Sequence, residues 1–438
     1  MCQRLVCRGL STSPSALGLQ SSLTNGFYNS EQMALQESVR KLVEEEINPH
    51  WQEWQQQQIF PAHRVFKRFG EAGLLGIHRD TEFGGQGLSY KYNVAFLEAL
   101  GHSKRCVQCL YVYFVQFYDE EQIKLLILYS SAGVSMAIGV QTDCSTPALA
   151  NYGSDHLKRT YLAPALAGDM VTSIAVSEPG GGSDVGSIAT AATRRGDTGD
   201  LVISGTKMWI SNGLQADWAC LLANTEREGG RYWNKSLIVV PMDAKGITKS
   251  KISTMGWKDS DTTILTFDNV PVPYENIIGD PGMGFGYQMK QFQDERLLLA
   301  IGTLVPLTTL LDETIEYCKQ RKAFGQPLIN NQYLHFTLAE LYTEVELLRA
   351  ATYRAVDLVE AGEEVTLLAS MLKLKVGRLA RRVTDSCLQF WGGMGFTEEV
   401  AVSRMYRDLR ILSIGGGADE VMLGIICKLT DMLPSKQN

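Results

Sequence analysis

The sequence has no surplus of basic residues: 41 Lys and Arg stand against 48 Asp and Glu, a formal net charge of −7. A nucleic-acid binder carries a basic footprint that neutralises phosphates, and charge-held attachment to anionic lipid needs a polybasic patch. Neither partner is expected. Cysteine lacks pattern. The nine are odd in number and scattered, which argues against a disulfide framework and fits a reducing compartment. Cys106-Val-Gln-Cys109 has no second pair after it, whereas a structural zinc takes about four ligands, so no metal is expected. Long apolar runs are nearly absent. The uncharged stretch 125–142 only touches the ~18-residue lower limit of a membrane span. It carries Ser130, Ser131, Ser135, Gln141 and Thr142, so it reads as a buried helix and no transmembrane segment is expected. Acidic residues are missing from the first thirty. Residues 1–30 hold Arg4 and Arg8 among Ser, Thr and Leu, with no Asp or Glu. That is the composition of a mitochondrial presequence, and the mitochondrial matrix is the expected location.

What remains is ordinary globular composition, 45% hydrophobic and 20% charged over 438 residues. At roughly 150 residues per domain this suggests about three domains. Three textures follow the presequence. Residues 31–168 are mostly helical: Leu35, Val39, Leu42 and Val43 make one apolar stripe at helical spacing. Residues 169–280 switch to short β-branched runs such as 201–203, 218–222, 236–240 and 263–267, separated by Gly and Asn-Gly turns, with Pro271 and Pro273 marking the exit. This reads as an antiparallel β domain. Residues 281–438 return to helix. Leu338, Leu341, Val345 and Leu348 repeat at 3, 4 and 3, and Leu372, Val376, Leu379 and Val383 at 4, 3 and 4, as in the core-facing helices of a bundle. The fold class is α+β: an N-terminal helical domain, a central antiparallel β domain and a C-terminal helical bundle.

Several motifs carry chemistry. Ile174-Ala-Val-Ser177 reads as a short strand leading into the glycine-rich loop Glu178-Pro-Gly-Gly-Gly-Ser-Asp184. Consecutive glycines leave backbone N–H groups free to approach an electron-rich ligand. No helix follows, so the loop is not a dinucleotide fingerprint, and no Gly-Lys-Ser/Thr follows, so it is not a P-loop. In Gly205-Thr-Lys-Met-Trp-Ile-Ser-Asn-Gly213 a strand-borne tryptophan beside a hydroxyl suits stacking on a flat heterocycle. Arg321-Lys-Ala-Phe-Gly325, with Gln332 after it, offers a cation for a phosphate. Gln389-Phe-Trp-Gly-Gly393 sets a glycine pair beside aromatics.

Together with Met255-Gly-Trp-Lys-Asp-Ser-Asp-Thr262 and Tyr406-Arg-Asp408, these motifs in this order resemble the acyl-CoA dehydrogenase flavoproteins over about residues 31–427. The resemblance implies FAD held between the β and helical domains. Ile174, Ala175, Val176, Ser177, Gly182 and Ser183 would contact the isoalloxazine, with Ser177 or its neighbour near its reducible edge and Ser183 also meeting the acyl-CoA. Trp209, Ile210 and Ser211 would flank the ring. Arg321, Phe324, Gln332, Gln389, Gly392 and Gly393 would reach the FAD of a neighbouring subunit, in a homo-oligomer built as a dimer of dimers. Ala418 and Glu420 fall in the C-terminal flavin loop, where Ala418 replaces a more usual threonine.

The implied reaction is α,β-dehydrogenation of fatty acyl-CoA to trans-2-enoyl-CoA, with electrons passed to electron-transfer flavoprotein. Most of the family places the base in the loop after Tyr-Arg-Asp, but here that loop reads Ile414-Gly-Gly-Gly-Ala-Asp-Glu420, with Gly416 at the position of the base. The long-chain and isovaleryl types carry the base on a helix in a pattern ending Glu-Arg-Leu. Gln293-Asp-Glu-Arg-Leu-Leu-Leu-Ala300 matches it, making Glu295 the expected base, with Asp419 and Glu420 as fallback acids. Asp294, Arg296, Gly415 and Gly416 complete the expected substrate contacts, Gly416 through its backbone N–H. Two other readings stay open on the sequence: an acyl-CoA oxidase-like flavoenzyme that uses oxygen, and a non-catalytic family member acting as a scaffold. Residues about 103–131 read as inserted sequence, aromatic and β-prone at Tyr111–Tyr118, either translated intron or a genuine addition.

Overall fold

A computed structural model describes residues 26–101, 132–196, 199–225 and 230–433. Most of the expected presequence, the Cys106/Cys109 pair and the expected insertion lie outside the described residues.

Helix α1 (Ser30–Glu46) starts on a capping box in which Asn29 and Gln32 exchange side-chain and backbone hydrogen bonds, satisfying two orphan N–H groups. Its stripe faces inward as the spacing predicts, with Val39 and Val43 buried and Leu35 and Leu42 packed against the same core. Helices α2 (Trp51–Gln57), α3 (Ala62–Glu71), α4 (Tyr90–Leu100) and α5 (Ala132–Gly139) follow, and short helical turns lead from there to the first strand. The chain then widens into a π-turn over Val140–Ser145, all six residues buried. Such bulges are often found at functional sites.

The strands are β1 (Thr172–Ala175), β2 (Ala191–Arg194), β3 (Leu201–Ser211), β4 (Trp218–Asn224), β5 (Lys235–Pro241), β6 (Ile247–Lys251), β7 (Thr262–Val272) and β8 (Ile277–Ile278). They form one sheet in the order β6-β7-β3-β2-β4-β5-β8, with β1 beside β4. The sheet is largely antiparallel, as the turn-separated runs suggest. Two contacts differ: β1 runs parallel to β4, and β2 meets β4 in parallel at Ala191 and Asn224. Pro271 does not lie in the exit loop. It sits inside β7, paired with Val202 of β3. β6 covers β7 only from Thr263 to Phe267, so the missing N–H of Pro271 falls where that edge is bare, the position a strand tolerates.

Five helices close the molecule, three of them long: α6 (Gly284–Gln320), α7 (Gln332–Glu360), α8 (Thr366–Trp391), α9 (Ala401–Asp408) and α10 (Asp419–Leu429). A small hairpin of β9 (Lys322–Ala323) and β10 (Gln326–Pro327) joins α6 to α7. All eight stripe residues of α7 and α8 are buried, and they share one apolar core with α1, α4, α5 and α6. Helix α6 is long and apolar enough to cross a bilayer, but 67% of that window is buried inside the bundle. That is the signature of a central core helix.

Candidate active site

Glu295 lies on α6. Its helical neighbours Leu298 and Leu299, three and four residues on, share its face. Leu298, Leu299, Gly302, Thr303, Pro306 and Thr309 line a cavity of about 110 Å³, closed from the other side by Leu97 and Leu100 of α4 and Met136 and Gly139 of α5. The carboxyl thus stands at one end of an apolar stripe that suits a hydrocarbon chain. Burial pushes the Glu295 carboxyl up to about 8, against a hydrogen bond from Gln291 and the charge of Arg296. Gln291 Nε2 reaches Glu295 Oε1 at 3.3 Å and also donates to the Cys144 carbonyl in the π-turn.

A second set of charges backs this face. Arg79, buried, donates to the Thr142 carbonyl at 2.8 Å. Asp143 accepts from Asn93 Nδ2 at 2.8 Å and from Thr142 Oγ1 at 2.5 Å. Asp294 keeps solvent access, yet its surroundings and the charge of Asp143 raise it to about 6 against the pull of Arg79. Asp294 therefore belongs to the Arg79–Asp143 group beside Glu295. Arg296 is buried on the other side of the helix turn and feels the Glu295 charge.

Across from α6 stands the glycine-rich loop. β1 ends at Ala175, so the strand starts and stops two residues earlier than the Ile174–Ser177 expectation. Ser177 is still tied to the sheet, because its carbonyl accepts from the Met208 N–H at 2.9 Å. Glu178 and Gly181 close a tight turn by two backbone bonds, of 3.0 and 3.1 Å. Beneath it the buried Lys207 donates to Val176 O and to Glu178 Oε1, both at 2.9 Å. Glu178 also accepts from the N–H groups of Ala189 and Thr190. Burial works against its charge, but Lys207 and these donors hold the Glu178 carboxyl below its usual range. The loop is clamped from below while Gly182 and Ser183 stay exposed on top.

β3 breaks register with β7 between Lys207 and Ile210. Trp209 sits in that irregularity at φ +66° and is 56% exposed. A β-bulge re-aims a side chain in this way, and here it turns a large flat ring outward beside Ser177. Ser211 is half-buried next to it. Ala175, Val176 and Ile210 point into the cores of the sheet, so they can meet a ligand only through their backbones. An open glycine loop and an outward tryptophan fit the flat heterocycle that the resemblance implies, since a Cβ added at Gly180 or Gly182 would meet nothing within 4 Å.

Arg321, Phe324, Gln332, Gln389, Gly392 and Gly393 are all exposed and lie together at the far end of α6. Tyr317 stacks on Trp391 with ring centroids 4.1 Å apart, and Tyr333 meets Phe390 edge-on at 6.2 Å, which joins α6, α7 and α8 there. The 26 residues from Glu295 to Arg321 along α6 rise roughly 39 Å at 1.5 Å each. This second group therefore cannot touch the same reacting centre as Glu295 and Trp209 within one chain.

The loop after α9 brings Gly415–Gly417 against α6. Gly416 has φ +63°, and a Cβ there would come within 2.5 Å of Leu299 Cδ1. Gly416 is exposed, while Gly415 and Ala418 are half-buried. Of the two fallback acids, Asp419 is held by Arg378 and Arg381 at 3.4 and 3.3 Å, which takes it out of play. Glu420 is exposed on α10. Sequence reasoning passed over Gln291, Arg79 and Lys373. Only Gln291 carried a signal, its spacing of four residues before Glu295.

Comparisons with known proteins agree along the chain. The family described as "Acyl-CoA dehydrogenase, N-terminal domain" matches residues 29–117. Its middle domain matches 173–270 and its C-terminal domain 282–429. The short-chain specific acyl-CoA dehydrogenase, mitochondrial, of Rattus norvegicus is 32% identical over 396 residues, covering 90% of this chain and 88% of that protein. The long-chain specific acyl-CoA dehydrogenase, mitochondrial, of Sus scrofa is 32% identical over 418 residues, 95% of this chain and 90% of that one. A crystal structure of an acyl-CoA dehydrogenase from Geobacillus kaustophilus superposes with a TM-score of 0.83 at 31% identity, covering 93% of this chain and 99% of the other.

Proposed function

The chain belongs to the acyl-CoA dehydrogenase family, and from that premise we propose that it is an FAD-dependent enzyme that removes the α-proton and β-hydride of a fatty acyl-CoA, with Glu295 as the base. The observation that carries this reading is the placement of Glu295: a carboxyl raised to about 8 by burial, one helical turn before Leu298 and Leu299, which line an apolar cavity, and Leu299 in turn lies against Gly416.

Each feature answers a need of the reaction. The α C–H of a thioester is a weak acid, so its base works best with a pKa raised toward the operating pH. Glu295 meets that condition in its ionised form and takes the α-proton onto its carboxylate. Negative charge then builds on the thioester oxygen, where a fixed N–H stabilises it. Gly416 N–H serves there, and its exposed backbone needs no side chain for the task. The cavity along Leu298, Leu299 and Gly302 holds the acyl chain and keeps water from the reacting carbons. FAD, when bound, supplies the acceptor for the hydride. Trp209 and the 177–183 loop hold its ring, and the clamp from Lys207 to Glu178 keeps that loop in place.

The second group at the far end of α6 gives the homo-oligomer its purpose. Arg321, Phe324, Gln332 and the Gln389–Gly393 turn complete the cofactor site of a neighbouring subunit. Phe324, Tyr333, Phe336 and Phe396 are exposed aromatics on the same end, and burying them supplies the driving force for assembly as a dimer of dimers. Electrons leave to electron-transfer flavoprotein, the acceptor that the resemblance implies. The acid-free, arginine-bearing residues 1–30 support import into the mitochondrial matrix.

A panel of acyl-CoA thioesters of increasing length, mixed anaerobically with the flavin-loaded protein, tests the reading. Bleaching of the flavin by at least one of them, with enoyl-CoA formed in equal amount, is the expected result. A protein that binds no flavin, or whose flavin no thioester bleaches, would overturn it.

A further inference from the structure

Lys373 is a lysine with no solvent exposure, the eighth residue of α8. A buried ammonium is costly unless it is paired, and its one hydrogen bond among the described residues runs to the carbonyl of Gly417. That carbonyl belongs to the same Gly415–Gly417 loop that presents Gly416. Both Gly416 and Gly417 hold positive φ, +63° and +100°, so the loop has no regular ladder to fix it. A Cβ at Gly416 would lie 3.9 Å from Lys373 Cε and 2.5 Å from Leu299 Cδ1. The lysine stem and the Leu299 side chain therefore press on the loop from the interior, while its outer face stays open. Burial lowers the Lys373 ammonium to about 8, with Asp419 and Glu420 favouring the charge and Arg296 opposing it.

We propose that Lys373 is the positioning residue of the thioester-oxygen site: it holds the Gly416 N–H in place through Gly417 and sets a positive charge under the oxygen as that oxygen becomes negative. The proposal rests on the acyl-CoA reading of the site. It gives the buried cation a function that packing alone does not require, because an apolar side chain of similar length would fill the same space without desolvating a charge. Fixed donors and charges aimed at developing negative charge act most strongly when they are held rigid and away from water.

A 3-ketoacyl-CoA tests this directly in the flavin-loaded protein. Its C2 proton is acidic enough to leave without any hydride transfer. The proton passes to the Glu295 carboxylate, the electron pair spreads over the thioester and 3-keto oxygens, and the enolate absorbs in the near ultraviolet. Titration with pH gives the midpoint of enolisation for the bound ligand. The wild-type protein is expected to lower that midpoint relative to the free thioester. K373M is expected to raise the bound midpoint by about one unit or more and to lower kcat with fatty acyl-CoA about 10²-fold, the size of losing one such donor, with a smaller change in KM. K373R keeps a cationic donor and should move the midpoint back toward wild type. If K373M does not fold, K373Q, neutral at the same place, carries the same decision. A folded, flavin-loaded neutral variant with the wild-type midpoint would overturn the role of Lys373. A wild-type protein that leaves the ligand's midpoint unchanged would instead overturn the acyl-CoA reading itself.

Discussion

Gln291 and Glu295 face each other across one turn of α6, Nε2 to Oε1 at 3.3 Å. The donor favours the charged carboxylate and so works against the burial that raises it to about 8. The pH profile of kcat/KM reports the free enzyme's essential groups. It should rise through a limb near 8 and level off above it. Gln291→Leu removes the donor, so the limb should move to higher pH. A Gln291→Leu profile that is unchanged, or shifted to lower pH, would show that this pair does not set the base.

Glu295 also predicts a stability effect with a definite sign. Its folded pKa, about 8, lies above the ordinary carboxylate value near 4.3. The folded state therefore binds the proton more tightly than the unfolded state. That advantage is fully present below about pH 4.3 and is lost as pH rises through 8. Glu295→Gln cannot ionise and escapes the loss. It should melt at a higher temperature than wild type at pH 9, with the gap closing as pH falls toward 5. The same variant should keep its flavin and lose turnover by about 10³-fold or more. Calorimetry at several pH values, with flavin absorbance on the same samples, checks both.

The Lys207–Glu178 pair holds the glycine loop with two nearly inaccessible partners, 0% and 7% exposed. Removing one member of a buried pair leaves the other uncompensated, at about 3–5 kcal/mol. Lys207→Met should lower the melting temperature and the flavin content together, because the same contact supports the 177–183 loop. The double variant Lys207→Met/Glu178→Gln should recover part of both. Melting loss with full flavin retention would separate the clamp from the cofactor site.

The parts legible in the sequence are those whose partners are local or periodic. Val39 and Val43, or Leu372, Val376, Leu379 and Val383, advertise their burial by spacing alone, and a 3.6-residue period has one main physical meaning. The glycine loop and Trp209 were legible as motifs. The direction of the tryptophan depends on a bulge that only the pairing of β3 with β7 creates. Lys373 shows the opposite case. A lysine beside the core residue Leu372 reads as surface, and its burial is set by a carbonyl 44 residues later. Arg79 and Asp143 share that fate, since Thr142 O and Asn93 Nδ2 come from other segments. Pro271 was misplaced because strand-breaking residues signal loops on average, whereas one bare edge suffices to admit them.

Chain length should respond to Gly302. It lines the cavity, and a Cβ there would meet nothing within 4 Å among the described residues. Gly302→Val fills part of the cavity from the helix side, and in a helix interior valine is no worse a helix former than the glycine it replaces. The acyl-CoA profile should move toward shorter chains by a large drop in kcat/KM for the longest substrates, with the shortest ones little changed. A uniform loss at every length would place the acyl chain elsewhere.

The resemblance places Gly416 where most of the family supplies the base, so a glutamate restored there is the obvious rescue for a protein lacking Glu295. The structure argues otherwise for the simple swap. Position 416 holds φ +63°, which L side chains adopt at a cost, and its Cβ would press on Leu299 Cδ1 at 2.5 Å. Glu295→Gln/Gly416→Glu should therefore remain inactive, with its flavin bound. Leu299 is a flexible side chain on the cavity wall, and trimming it removes the obstacle. Adding Leu299→Ala should restore measurable turnover, at least about tenfold above the double variant, although removing a buried leucine lowers stability by about 2–5 kcal/mol. The measurement is anaerobic flavin bleaching by the best substrate of the length panel. Recovery in the double variant without Leu299→Ala would mean that the loop can shift away from α6, and that Leu299 does not decide which side of the site carries the carboxylate.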